Sequence, residues 1–325
     1  MTKVAKNLLF LLLSTLVGIV LMYWTLRGFD PEQLAAFFNR RSNYVWISLT
    51  LMAGVGANLL RSLRWRMLLV SAGVRVSRRR AIELVFIAYL INSVTPRLGE
   101  LVRALLVKRG NSEISSRALG TVVIEKAADV GCLIILLAIA LSLRWQATVD
   151  LVGGTTEHVA GVGPRIAAVI LSAMALTGAL CCLKPLRQRI AHFLSGLWQG
   201  VSAIARLRNP LGFAALCGGI WLCNFLQLYL LIPCFDTLSA IDLTGAVHLF
   251  AVVSVGALLP TPAGAGPWHF AIVRTLTAIH GIGRQAAQSY ALITHGLKTV
   301  LVILLGLAGY ASYYSSVWRK WRKSS

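Results

Sequence analysis

Two groups of ionisable residues lie inside apolar sequence, where a charge needs a reason. Glu125 and Asp129 are four residues apart in the run 117–143, so on a helix they share one face, with Lys126 beside them. At 1.5 Å per residue they fall roughly 12 and 18 Å beyond Arg117, near the middle of a bilayer about 30 Å thick. His295 and Lys298 are three apart and similarly deep in the last apolar run. Charges at such depth are costly; they line water-filled paths, pair with one another, or move protons and substrates. One reading is a structural ion pair, Glu125 or Asp129 with Lys298. The other is a substrate site, and the two are compatible. His295 alone has an ordinary pKa near neutral, so its charge is expected to change during a working cycle.

Two Pro/Gly breaks carry the next signal. Thr95-Pro96-Arg97-Leu98-Gly99-Glu100-Leu101-Val102-Arg103 reads as a helix start, with Thr95 at the N-cap and Pro96 first in the helix. Unpaired amides at such a start, together with Arg97, make an anion site. Glu100 and Arg103, on adjacent turns, are expected to hold one another. The stretch from Thr261 to His269 offers small residues for close backbone approach, and Pro267 can begin another half-helix. The alternative is that these glycines only permit tight packing and the charges sit at an interface. In Asn58-Leu-Leu-Arg61-Ser-Leu-Arg64-Trp65-Arg66, Asn58 and Arg61 are candidate phosphate contacts at the inner leaflet. The simpler reading has the arginines snorkelling to the interface with Trp65 anchored there. His158, His192, His248 and His280 are isolated and expected at the surface or in loops. No nucleophile–base–orienter set and no HExxH-type metal motif is present, so neither a cofactor nor a metal is expected.

The elements that must position these residues are apolar. The 325-residue chain is 57% apolar and 13% charged, with a mean hydropathy of +0.73. Runs at 8–26, 45–60, 127–143, 166–183, 211–232 and 291–310 approach or reach the roughly 20 residues a helix needs to cross a bilayer. Two apolar regions fail as ordinary spans: 82–109, broken by Pro96, Gly99 and charges, and 246–276, broken by three prolines and three glycines. Each half of these is too short to cross alone, so both are read as re-entrant hairpins, tolerated only where protein or water meets the exposed backbone. The fold class expected is all-α integral membrane, with about six transmembrane helices and two re-entrant hairpins.

The net charge of +21 does not mark a nucleic-acid face, because the basic residues cluster at the ends of apolar runs. The runs Arg78-Arg79-Arg80 and Arg319-Lys320-Trp321-Arg322-Lys323 suit anionic lipid headgroups instead. Six cysteines, Cys132, Cys181, Cys182, Cys217, Cys223 and Cys234, form no CxxC pair and support no disulfide framework or zinc site. Lys3 and Lys6 before a long apolar run, with no small-x-small site after it, read as a retained anchor helix.

With both termini inside and the hairpins not crossing, inner segments hold 21 of the 32 basic residues and outer loops six. Each half then reads span, span, hairpin, span. Residues 1–150 form a first repeat with hairpin 82–109, and residues 151–325 a second, inverted repeat with an interfacial helix at 184–208 and hairpin 246–276. Asn58 and Asn224, Thr95 and Thr261, Pro96 and Pro262, and Asp129 and His295 are each 166 positions apart. Inverted repeats with matching breaks are a recurrent transporter plan, with the substrate near the midplane.

The runs from Asn58 to Arg66, Pro96 to Arg109, Val122 to Val130 and Leu259 to Gly266 resemble the UPF0104, or lysylphosphatidylglycerol synthase transmembrane-region, family over most of the chain. That family often continues its second Pro/Gly run into a glutamate, where Trp268-His269 stands here. The resemblance implies kinship with the flippase portion of bifunctional lysyl-phosphatidylglycerol proteins. It does not imply lysyl transfer, which belongs to a separate soluble domain. The leading expectation is a translocase for a polar lipid or lipid-linked precursor in the cytoplasmic membrane. An anionic lipid headgroup would be bound by Asn58, Arg61, Arg97, Glu100, Arg103, Glu125, Asp129, His269, His295 and Lys298. The rivals are a membrane enzyme using Glu125 or Asp129 as base, and an accessory subunit partnering a glycosyltransferase or lipid synthase.

Overall fold

The computed structural model describes residues 3–108, 111–144 and 207–324. The expected span 166–183, nearly all of the expected interfacial helix 184–208, and His158, His192, Cys181 and Cys182 lie outside them. Every regular element among the described residues is helical: α1 (Lys3–Leu26), α2 (Glu32–Asn39), α3 (Asn43–Ser71), α4 (Arg78–Val94), α5 (Leu98–Leu106), α6 (Ser112–Leu143), α7 (Pro210–Tyr229), α8 (Leu243–Gly256), α9 (Pro267–Ala278) and α10 (Arg284–Ser324). The stretches Asn43–Ser71, Pro210–Cys234 and Arg284–Ser315 are long and apolar enough to cross a membrane. Their outward faces keep large apolar side chains uncovered, such as Met52, Leu222 and Leu304. Such faces suit lipid rather than water.

Local sequence sets the helix ends. Side chains of Ser77, Asn111, Asn209 and Asp242 accept backbone amides at the starts of α4, α6, α7 and α8. Both broken segments are helical hairpins. α5 folds back on α4 closely enough that a Cβ on Gly99 would lie 1.9 Å from the Ala88 carbonyl oxygen. α9 returns beside α8, where Gly256 faces Pro267 and Ala271. The first hairpin is longer than expected at its start, since α4 runs 17 residues from Arg78.

The helix start expected with Thr95 as N-cap and Pro96 first lies two residues later, with Arg97 as N-cap and Leu98 first. Thr95 closes α4, its hydroxyl bonding back to the Ile91 carbonyl, and α5 begins at Leu98 after Arg97. The physical reason is Pro96. A residue before proline is pushed into extended backbone, so Thr95 leaves the helix (φ −123°, ψ 129°) and the chain turns at Arg97 in the left-handed region (φ 59°). The second break repeats this conformation 166 positions on. Thr261 is extended (φ −109°, ψ 153°), Pro262 follows, and Ala263 is left-handed (φ 54°). Arg97 and Ala263 are the two non-glycine residues with positive φ among the described residues.

The packing is reciprocal. α10 lies along α4 of the first hairpin, α6 packs on α8 of the second, and α3 lies along α7. The two junctions are pinned at opposite ends. At one, Glu83 accepts from Arg79 at 3.0 Å and from Ser312 at 2.6 Å, while Arg80 rests 3.7 Å over the Tyr313 ring. At the other, Asp242 receives Arg144, which also reaches the Thr244 hydroxyl at 3.0 Å. Loops that the charge pattern assigns to one side also meet one another: Arg40 binds Asp236, and Gln285 binds the Gly28 carbonyl and the Asp30 amide.

Candidate functional site

The site grows from the middle of α3. Arg64 and Trp65, expected as interfacial anchors, are both fully buried (0%). The i, i+3 spacing of Asn58, Arg61 and Arg64 turns these residues inward, and α6 supplies the carboxylates that make such burial tolerable. Arg64 Nη1 reaches Asp129 at 2.7 Å and Arg64 Nη2 lies 3.8 Å from Glu125. Arg103 of α5 donates to the same Glu125 oxygen at 3.0 Å. The Arg103 guanidinium stacks 4.4 Å over the Trp65 ring, whose Nε1–H donates to Thr121 at 3.1 Å. Glu125 is 1% exposed and Arg103 2%. This is a desolvated network of two arginines and two carboxylates. Breaking such a network on one side costs far more than a surface pair does.

Glu100 and Arg103 do not hold one another. Helix α5 turns them to different neighbours: Arg103 goes inward to Glu125, while Glu100 accepts from Lys126 at 2.9 Å and from Asn92 at 3.0 Å. Asn92 also accepts the Gly99 amide at 2.8 Å, so one side chain ties the acid and the start of α5 to α4. The expected pair of Glu125 or Asp129 with Lys298 is not made either, because Arg64 and Arg103 already occupy both acids. Lys298 lies 4.6 Å from the centre of the Trp268 ring.

The second hairpin contributes a histidine pair. The rings of His269 and His295 are 4.6 Å apart, and His295 Nε2 donates to the Ala263 carbonyl at 3.1 Å, on the left-handed residue of the break. His269, Trp268 and Thr261 each bury a polar atom without a hydrogen-bond partner. The two tips meet: Arg97, exposed, donates to the Leu258 carbonyl at the end of the second hairpin's first helix. α1 seals the outside of this tip, since a Cβ on Gly266 (φ 90°) would sit 2.4 Å from the Gly18 carbonyl oxygen.

The structure therefore joins Arg103, Glu125 and Asp129 in one cluster, Glu100 beside it, and His269, His295 and Lys298 in another, with Arg97 at the meeting of the tips. Asn58 is buried and spends its amide on the Gly54 carbonyl of its own helix. Arg61 lies 5.0 Å over Tyr89. Sequence reasoning missed Arg64, Trp65, Thr121 and Asn92. Their signal was the one-sided spacing on α3 facing acids spaced four apart on α6. His248, expected at the surface, is 1% exposed, because α8 turns it inward. Cys132, Cys217, Cys223 and Cys234 are free thiols, Cys217 and Cys234 buried. Among the described residues no three His, Cys, Asp or Glu side chains converge as metal ligands.

Broken hairpins that meet inside a bundle of long apolar helices define a helical integral membrane protein. The chain belongs to the family described as the lysylphosphatidylglycerol synthase TM region, whose model matches residues 11–306. It is also similar to a UPF0104 membrane protein of Pyrococcus horikoshii, 26% identical over 139 residues, which is 42% of this chain and 40% of that protein's length. No solved structure matches it.

Proposed function

We propose that the protein translocates a polar lipid or lipid-linked precursor across the cytoplasmic membrane, with the headgroup passing between the two hairpin tips. The observation that carries this reading is the pair of Thr-Pro breaks. They share one unusual backbone conformation, 166 positions apart, and touch through Arg97 and Leu258. Residues 1–150 and 151–325 are then two inverted repeats whose hairpins enter from opposite sides, with both termini on the inner side. Reciprocal packing of each last span on the other half's hairpin is what a two-fold relation in the membrane plane produces. Non-helical backbone at that depth is stable only against protein or a wet path. Family membership supplies the lipid context.

The test is the full chain reconstituted into vesicles carrying a trace of fluorescent phospholipid, with an impermeant quencher reading the outer leaflet. Protein-dependent loss of the protected half, with the lipid's mass unchanged, is the expected result. A changed headgroup mass makes the protein an enzyme, and no exchange with any lipid refutes translocation. Arg97→Ala is expected to abolish exchange while folded protein remains in the membrane, since Arg97 is exposed and joins the tips. Loss of folded protein instead assigns Arg97 a structural role.

A further inference from the structure

Helix α1 is held firmly at its outer end. The last backbone carbonyls of a helix have no partner within it. Those of α1 and the residue just beyond are taken by the first turns of α10. Arg284 donates to the Trp24 carbonyl at 3.0 Å, Gln288 to that of Thr25 at 2.5 Å, and Gln285 to that of Gly28 at 2.6 Å. Gln285 also accepts the Asp30 amide at 3.0 Å, so the loop after α1 is tied to the same place. Inward of this clasp the attachment changes in kind. The stretch from Thr15 to Leu26 carries no charge, and α1 rests by packing on α9 and on the second break. Its other face, with Leu16, Ile19 and Tyr23, is uncovered.

What α1 covers is the least helical backbone of the second hairpin. Gly18 is buried at the point of closest approach: a Cβ there would lie 3.2 Å from the Ala265 carbonyl oxygen and 3.5 Å from the Thr261 Cβ. Beneath it, Thr261 is 6% exposed and its hydroxyl has no hydrogen-bond partner. On α9, Trp268 Nε1 and His269 Nδ1 are also buried without one, and both rings lie against His295, which holds the Ala263 carbonyl. Buried polar atoms left unpaired are costly, and irregular backbone at membrane depth needs protein or a polar environment against it. With α1 seated, that cover is protein. In lipid, the contact of an apolar helix with its neighbour rests on packing alone, so the inner part of α1 can be exchanged for lipid more readily than its clasped end.

We propose that α1 is a lateral gate over the second break: hinged at its clasp on α10, it swings off the stretch from Thr261 to Gly266 and opens that stretch to the bilayer. This rests on the translocation reading above, for which it supplies the point of entry from the membrane. Opening onto bare hydrocarbon would strand the polar atoms of Thr261, Trp268 and His269 together with the break's own amides and carbonyls. Opening onto the polar part of a lipid satisfies them. The gate is therefore closed by the same unpaired groups that an arriving headgroup would occupy, and Gly18 and Gly266 are glycines because the closed state brings their backbones together, a Cβ on Gly266 falling 2.4 Å from the Gly18 carbonyl oxygen.

The test has a locking arm and a labelling arm, both with the full chain in vesicles on a cysteine-free background. Gly18→Cys combined with Thr261→Cys sets two Cβ atoms 3.5 Å apart, within the range a disulfide spans. Oxidation of this double variant is expected to arrest leaflet exchange, and reduction to restore it. For labelling, the Thr261→Cys variant meets N-dodecylmaleimide dissolved in the bilayer or an impermeant maleimide in the water, with adducts read by mass. A chain that retains only the buried Cys234 is the reference. The bilayer reagent should modify the Thr261→Cys thiol about tenfold faster than Cys234, a difference of about 1.4 kcal/mol in the free energy of opening. Equal rates mean that α1 stays seated, and modification by the aqueous reagent alone means that the break opens to water; either overturns the proposal. So does exchange that continues in the oxidised double variant, which leaves translocation standing. If the double variant fails to accumulate, the labelling rates decide alone. Fast labelling from the bilayer in a protein that exchanges no lipid refutes translocation and leaves the opening of α1 standing.

Discussion

Removing one member of the Arg64–Arg103–Glu125–Asp129 network should be far more damaging than removing two matched members. Glu125→Met deletes a carboxylate whose single bonded oxygen serves Arg103 at 3.0 Å and Arg64 at 3.8 Å, leaving two buried arginines facing Asp129 alone. Arg103→Met leaves the converse imbalance. Methionine keeps an unbranched chain of comparable reach, so the cavity contribution is small. Breaking one side of a desolvated pair costs about 3–5 kcal/mol. For a chain of this length that corresponds to a fall of roughly 5–10 °C in apparent melting temperature. In the double variant Arg64 keeps its 2.7 Å contact to Asp129, and the deleted charges cancel. The double variant should therefore lie at least about 2 kcal/mol above the sum of the single changes. The assay is a double-mutant cycle of thermal unfolding in detergent, followed by the fraction remaining monodisperse. Additive losses would show that Arg103 and Glu125 do not act on each other, and single losses under about 0.5 kcal/mol would mean the site is hydrated.

On a cysteine-free background, Ser239→Cys should react with an impermeant outside reagent, while Ser77→Cys and Ser112→Cys should not; outside labelling at Ser112 would mean that the first hairpin crosses. Gly99→Ala should lower folded yield sharply, because its Cβ would meet the Ala88 carbonyl at 1.9 Å and that backbone has to move; normal stability would refute the close packing of α5 on α4. Hydrogen bonds from the Thr244 hydroxyl and the Gly245 amide, with Arg144 adjacent, hold the Asp242 carboxyl below the usual carboxylate range. A depressed carboxyl stabilises the fold above its unfolded pKa and loses that contribution as pH falls through the folded one. Wild type should thus lose melting temperature more steeply than Asp242→Asn below about pH 4; parallel profiles would remove Asp242 from the α6–α8 junction.

The helical membrane class was legible because apolar run length is a one-dimensional property, and the breaks were legible because proline and glycine act on their own backbone. Glu125 and Asp129 could be found for the same reason, since a charge in an apolar run is visible by itself. Their partners could not. Which cation meets Glu125 depends on how α3, α5 and α6 cross, and Lys298, which seemed the natural counterpart by depth, is kept on Trp268 while Arg64 arrives from α3. Arg64 was misread because an arginine near a helix end is usually a snorkelling anchor. The helix end here continues to Ser71, so Arg64 sits two turns further inside than the apolar run implied. The left-handed turn at Arg97 was hidden as well, because arginine carries no propensity for it, and only the matching geometry at Ala263 exposes it as part of a repeated device.

The 166-position relation also shows what the two halves do not share. Arg103 corresponds to His269, and Asp129 to His295. In the first half these positions belong to a closed ionic network, whereas in the second they are two rings tilted against each other with centroids 4.6 Å apart. One backbone plan thus carries two chemistries. The first hairpin is fixed by opposed charges that resist separation in a poor solvent, because pulling Arg103 from Glu125 would strand both. The second hairpin is held differently: its ion pair, Asp242 with Arg144, is partly exposed, and α9 meets α10 through apolar side chains, the rings around Trp268 and the bond from His295 to Ala263. If one hairpin moves during the cycle, the balance of these contacts makes it the second, and cross-linking α9 to α10 should arrest exchange where cross-linking α5 to α6 leaves it intact.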